Sequence, residues 1–149
     1  MAHPVFVLNG SNLNMLGKRE PHLYGTTTLA EVRSRCEALA PELGLDCDFR
    51  QTNHEGQMVD WIQEAFEKDA AVVVNPAGFS FRSIPVIDAL KLIRRPVIEV
   101  HLTNIHQRSE EYRNSLVSLV ASGVICGVGP VGYLLALRAV ADALARTPA

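Results

Sequence analysis

The sequence is poor in aromatic side chains, with one tryptophan, and carries only three cysteines in 149 residues. Cys36, Cys47 and Cys126 are widely spaced, odd in number, and each lies in an apolar segment. Neither a disulfide framework nor a zinc site is suggested, and buried reduced thiols are the expectation. Charge of neither sign dominates: the formal net charge is -2 and the pI about 6.2. There is thus no basic surplus for nucleic acid or an anionic membrane. No apolar run approaches the roughly 20 residues of a membrane span. Met1-Ala2-His3-Pro4 leads straight into a strand-like run without a secretory leader, so a cytoplasmic location is expected. His54-Glu55 lacks the second histidine of H-E-x-x-H, and no other spacing suggests a metal. A G-x-S-x-G serine elbow is also missing.

What is present is an alternation of short apolar runs and helical patterns. Strands are expected at Val5–Leu8, Leu45–Arg50, Ala71–Asn75, Val97–His101 and Gly123–Val128. Ala71-Val72-Val73-Val74 and Val97-Ile98-Glu99-Val100 are nearly continuous and β-branched, as strands covered on both faces are. Thr28 and Glu31 form a T-x-x-E capping box ahead of Leu29, Val32, Cys36 and Leu39, and Gly44 stops that helix. Val59, Ile62, Ala65 and Phe66 mark a second helix, with Trp61 on its apolar side, and Ile84 to Ile93 a third. Pro130 at a first helical position opens the last. The pattern predicts one α/β domain, with a doubly wound five-stranded parallel sheet in flavodoxin-like order, flanked by helices. Gly127-Val128-Gly129-Pro130-Val131-Gly132 matches G-x-G-x-x-G, but too little chain follows for a further strand and its ribose-binding acid. Close helix–strand packing is the better account.

Ligands of such sheets bind outside the carboxyl ends of the strands. Four predicted ends deliver Asn9-Gly10-Ser11-Asn12, Gln51-Thr52-Asn53-His54, Asn75-Pro76-Ala77-Gly78 and His101-Leu102-Thr103-Asn104 to one rim.

Four segments carry a resemblance to the type II dehydroquinase family. They are Leu8-Asn9-Gly10-Ser11-Asn12-Leu13-Asn14 with Gly17-Lys18-Arg19-Glu20-Pro21 and Leu23-Tyr24-Gly25; Gln51-Thr52-Asn53-His54-Glu55-Gly56 with Asp60-Trp61-Ile62; Asn75-Pro76; and Glu99 to His106 with Arg108, followed by Gly132-Tyr133. The resemblance implies cofactor-free removal of water from 3-dehydroquinate. Tyr24 matches the family's tyrosinate base, Arg19 and Arg108 its activating arginines, and Asn75 the residue that positions a water or the substrate for the enolate. Free tyrosine is only about 0.1% ionised at neutral pH, which is why nearby cations matter. His101 matches the general acid, and Glu99, two residues earlier on the same side of the strand, the carboxylate that orients it and keeps it protonated. The substrate carboxylate is expected on backbone amides around Leu102 and Thr103, with Asn12 nearby, under a lid running from Lys18 to Gly25. The resemblance also implies a homododecamer built from trimers, with Asp88 reaching a neighbour's site.

Two positions depart from the family pattern. Phe81 stands where a histidine normally reads ring hydroxyls, and Tyr112 where an arginine does, with Arg113 displaced by one. Either Arg82 or Arg113 swings in and the substrate is unchanged, or recognition has drifted to a related cyclic keto acid. A non-catalytic cyclic-acid binder would have lost a chemical residue, and none is lost. A flavin or nucleotide protein would need more small donors after the first strand than Asn9-Gly10-Ser11-Asn12-Leu13 supplies.

Overall fold

The computed structural model describes residues 1–146. Its strands are β1 (His3–Asn9), β2 (Leu45–Gln51), β3 (Ala71–Asn75), β4 (Val97–His101) and β5 (Gly123–Cys126). They form one sheet in the order β2-β1-β3-β4-β5, with every neighbouring pair parallel. This is the flavodoxin-like doubly wound arrangement. β3 and β4 are buried at all five positions, as their β-branched runs require.

The helices are α1 (Pro21–Tyr24), α2 (Leu29–Glu42), α3 (Glu55–Glu67), α4 (Ile84–Leu90) and α5 (Val131–Arg146). The pleat sends alternate strand residues to opposite layers. Val5, Val7, Val73 and Val100 pack with Val32 and Cys36 of α2 and Leu137 and Val140 of α5. Phe6, Leu8, Val72 and Val74 pack with Met58 and Ile62 of α3 and Val86 and Leu90 of α4. Thr28 Oγ1 accepts a hydrogen bond from Glu31 N–H at 3.2 Å, the cap expected for α2. Past that helix, Gly44 turns the chain with φ +72°.

Boundaries shift where backbone geometry overrides pattern. α4 ends at Leu90 rather than Ile93, because its tail tightens into turns in which Leu92 and Ile93 N–H reach Ala89 and Leu90 carbonyls. β5 stops at Cys126, since Gly127 at φ +90° ends the extended run. Pro130 precedes α5 rather than occupying its first position. Of the cysteines only Cys36 is fully buried, while Cys47 and Cys126 are half-buried. Burial pushes the Cys36 and Cys47 thiols up to about 12, which leaves them unreactive. Trp61 is half-buried, with the Arg50 guanidinium 5.5 Å from its ring. Arg94 and Arg95, just past α4, pair at the surface with Asp69 at 3.4 and 2.7 Å. Gly132 lies against the sheet, where a Cβ would stand 3.4 Å from the Val100 side chain. Among the described residues no helix is long and apolar enough to cross a membrane.

Chain connections diverge at the ends of β1 and β3, one leading out to β2 and the other to β4. The two segments approach so closely there that a Cβ on Gly10 would fall 2.2 Å from the Pro76 carbonyl oxygen. Only glycine fits, and the crevice over this point is where such folds take ligands.

Candidate active site

A cavity of about 250 Å³ opens over the strand ends. Asn75 and His101 come to it from β3 and β4, with Leu102 and Thr103 just beyond. Asn12 enters from the loop after β1, and Arg19 and Tyr24 from the following segment. Phe81, Arg108 and Tyr112 complete the far wall.

His101 is 5% exposed and Glu99 not at all. Lying two apart on β4, they share a face, and His101 Nε2 bonds to Glu99 Oε2. Ser115 Oγ donates to the same carboxylate oxygen, and Ser118 Oγ donates to Oε1, each at 2.5 Å. Burial works to raise the Glu99 carboxyl, but the hydrogen bonds from His101, Ser115 and Ser118 prevail and hold it below the ordinary carboxylate value. A buried carboxylate therefore sits behind the imidazole, leaving Nδ1 as the ring nitrogen free for a ligand.

Asn75 is held as tightly from the opposite layer. Its Nδ2 donates to the Tyr133 hydroxyl at 2.8 Å, which donates onward to Asn9 Oδ1 at 2.6 Å. Asn75 Oδ1 accepts from Ala77 N–H at 3.3 Å. Burial pushes the Tyr133 phenol up, so this tyrosine stays a neutral linker. Asn12 (φ 69°) and Ala77 (φ 49°) both line the cavity in the left-handed region, which is costly for residues with a Cβ. Asn12 N–H is fixed by Asn53 Oδ1 at 2.9 Å.

Tyr24 is half-buried on α1, which Pro21 opens at its first turn. The Arg19 guanidinium lies 5.1 Å from its ring centroid and that of Arg108 5.8 Å. Arg108 also lies 4.4 Å from the Tyr112 ring, and Tyr112 meets Phe81 edge-on at 5.8 Å and 83°. This geometry puts two cations beside one phenol.

Three sequence-derived candidates do not line the cavity. Glu99 stands behind His101; Asp88 is exposed on α4, 3.5 Å from Lys91 Nζ; Arg113 is exposed nearby. Arg82 lines an adjoining groove with Glu110 and Glu111. Sequence reasoning missed the roles of Ser115, Ser118 and Tyr133. Only Tyr133 left a signal: a tyrosine within the apolar stripe of α5 must find its hydroxyl a partner. Among the described residues no group of three His, Cys, Asp or Glu side chains could hold a metal ion.

The class II dehydroquinase family model matches residues 3–141. Proteins named 3-dehydroquinate dehydratase in Brucella canis and Brucella suis are each 55% identical over 141 residues, covering 95% of this chain and 90% of theirs. The crystal structure of type II dehydroquinase from Propionibacterium acnes superposes with a TM-score of 0.92 at 44% identity, covering 95% of this chain and 98% of that one. A 3-dehydroquinate dehydratase-like protein from Bifidobacterium longum gives 0.73 at 33% identity, covering 97% and 99%. Matched over nearly its whole length in both sequence and fold, the chain belongs to the class II dehydroquinase family.

Proposed function

We propose that the chain is a hydro-lyase converting 3-dehydroquinate to 3-dehydroshikimate through an enolate, without a cofactor. The observation that carries this reading is a phenol flanked by two guanidiniums in the same cavity as an imidazole backed by a buried carboxylate. Tyr24, as phenolate, takes the proton on the carbon beside the ketone. The C–H electron pair moves to the carbonyl oxygen, and the Asn75 region supplies polar contact for the resulting enolate. The enolate then re-forms the ketone and expels the tertiary hydroxyl, which leaves as water with a proton from His101. Tyr24 has gained one proton and His101 lost one, so a return transfer completes the cycle. Arg19 and Arg108 place two cations beside the Tyr24 ring, while Glu99 fixes the orientation of the His101 imidazole through its hydrogen bond to Nε2. Backbone amides at Leu102 and Thr103, with Asn12, receive the substrate carboxylate.

The finer reading is a cytoplasmic homododecamer of trimers acting in the shikimate pathway. Asp88 supports it in part: its side chain is 64% exposed and so is available to a neighbouring subunit. Sedimentation of a monomer under native conditions would contradict it. A second reading, dehydration of a related cyclic keto acid, is favoured by one observation: the wall formed by Phe81 and Tyr112 is aromatic, with Arg82 and Arg113 outside the cavity.

Mixing the purified protein with 3-dehydroquinate and following the ultraviolet absorbance of the conjugated enone tests the first reading. Turnover is expected, and Tyr24→Phe should abolish it while the circular dichroism spectrum stays native. A folded oligomer without turnover would favour the related keto acid. A Tyr24→Phe variant with near-wild-type turnover would remove Tyr24 as the base.

A further inference from the structure

We propose that Tyr112 is a positioning residue, holding the Arg108 guanidinium against Tyr24 by stacking on it, with Phe81 bracing Tyr112 from behind. This rests on the reading of Tyr24 as base. The Arg108 guanidinium lies 4.4 Å from the Tyr112 centroid and 5.8 Å from that of Tyr24. Among the described residues its side chain has no ion pair and no hydrogen bond, so these two rings are what define its place. Arg108 itself follows a short turn that ends on a hydrogen bond from Arg108 N–H to the Ile105 carbonyl at 3.2 Å. That bond fixes the backbone and leaves a long side chain free to rotate. A stacked aromatic face removes that freedom at little cost in desolvation.

Phe81 adds the next link. Its edge-to-face contact with Tyr112, 5.8 Å between centroids at 83°, orients the Tyr112 ring. Tyr112 is 40% exposed and would otherwise have one face open to water. Phe81, Tyr112, Arg108 and Tyr24 thus form one chain of contacts along the cavity wall, drawn from three separate segments. Two aromatic side chains in the wall thereby serve the base even though they contribute no charge.

The test combines kinetics with a spectroscopic measurement. Tyr112→Leu is expected to lower kcat about tenfold with little change in KM, the size of one good cation–π contact. Tyr112→Phe, which keeps the ring and drops the hydroxyl, is expected to recover most of that loss. In an Arg108→Ala background, Tyr112→Leu should have no further effect. Independently of turnover, the Arg108 Nε–H proton signal should be ring-current shifted in the wild type, and Tyr112→Leu should remove the shift. Failure of the wild type to act on 3-dehydroquinate would count against the proposed function, while the proton signal would still decide the stacking. An unshifted wild-type signal overturns the inference. So does Tyr112→Phe as damaging as Tyr112→Leu, an undiminished effect without Arg108, or a change confined to KM, any of which would make Tyr112 a direct substrate contact.

Discussion

The two sides of the cavity are built by different means. On the side of β3 and β4, Asn75, Glu99 and His101 are at most 5% exposed and tied into hydrogen-bond networks that span the sheet. On the other side Arg19 is exposed and Tyr24 half-buried, in a segment that includes Glu20 at φ 39°. There the functional groups meet through rings and guanidiniums at 4.4 to 5.8 Å rather than through directed bonds. The acid is thus part of the folded core, whereas the base is laid over it. Substitutions on the first side should cost stability and rate together, and those on the second rate alone.

The largest effect is expected at Glu99. Glu99→Ala leaves His101, Ser115 and Ser118 facing an empty buried site, and breaking such a pair costs about 3–5 kcal/mol. Calorimetry should show the melting temperature falling by about 10 °C, with turnover lost as well. Glu99→Gln keeps the volume and isolates the charge. Because the folded carboxyl is held below its ordinary value of 4.5, its contribution is fully present above that pH and disappears as pH falls through the folded value. The stability gap between wild type and Glu99→Gln should therefore narrow on acidification below about 4.5. A gap that widened there would reverse the assigned direction.

Tyr133→Phe comes next, because it removes the hydroxyl between Asn75 and Asn9 and leaves both amides without that buried partner. A loss of about 1–3 kcal/mol is expected in denaturant titrations. A fall in kcat should accompany it, since Asn75 would no longer be held at the cavity. If Tyr133→Phe kept full turnover, the hydroxyl would be a purely structural link.

This contrast also explains what could be read from the sequence. Asn75 and His101 were legible because each ends a continuous buried strand, and a parallel sheet delivers such ends to one rim. Glu99 came with the family resemblance, and the two-residue period of β4 put it on the same side as His101. The supports of these groups were not legible, because Ser115 and Ser118 lie 16 and 19 residues from Glu99, and Tyr133 lies 58 from Asn75. No local pattern encodes such pairings. Phe81 and Tyr112 could be recognised as departures from the family, but their contact with each other, and with Arg108, exists only in three dimensions.

The smallest effect on stability, and the sharpest test of the contrast, is expected from Arg19→Ala. Arg19 is exposed, its guanidinium lies 5.1 Å from the Tyr24 ring centroid, and among the described residues its side chain makes no ion pair. Removing an exposed side chain away from any buried network changes stability by no more than about 0.5 kcal/mol, so the melting temperature should stay within about 2 °C of wild type. If the base side works by placing cations beside a phenolate, kcat should still fall by at least about tenfold, because one of two neighbouring charges is gone. Arg19→Lys separates charge from shape: it keeps the cation but loses the planar group that can stack. Partial recovery by lysine would mean that charge near Tyr24 is what matters. No recovery would mean that the stacked geometry matters as much, and would put Arg19 on the same footing as Arg108 against Tyr112. A melting temperature lowered as far as in Glu99→Ala would refute the division itself, since the segment over the cavity would then belong to the folding core.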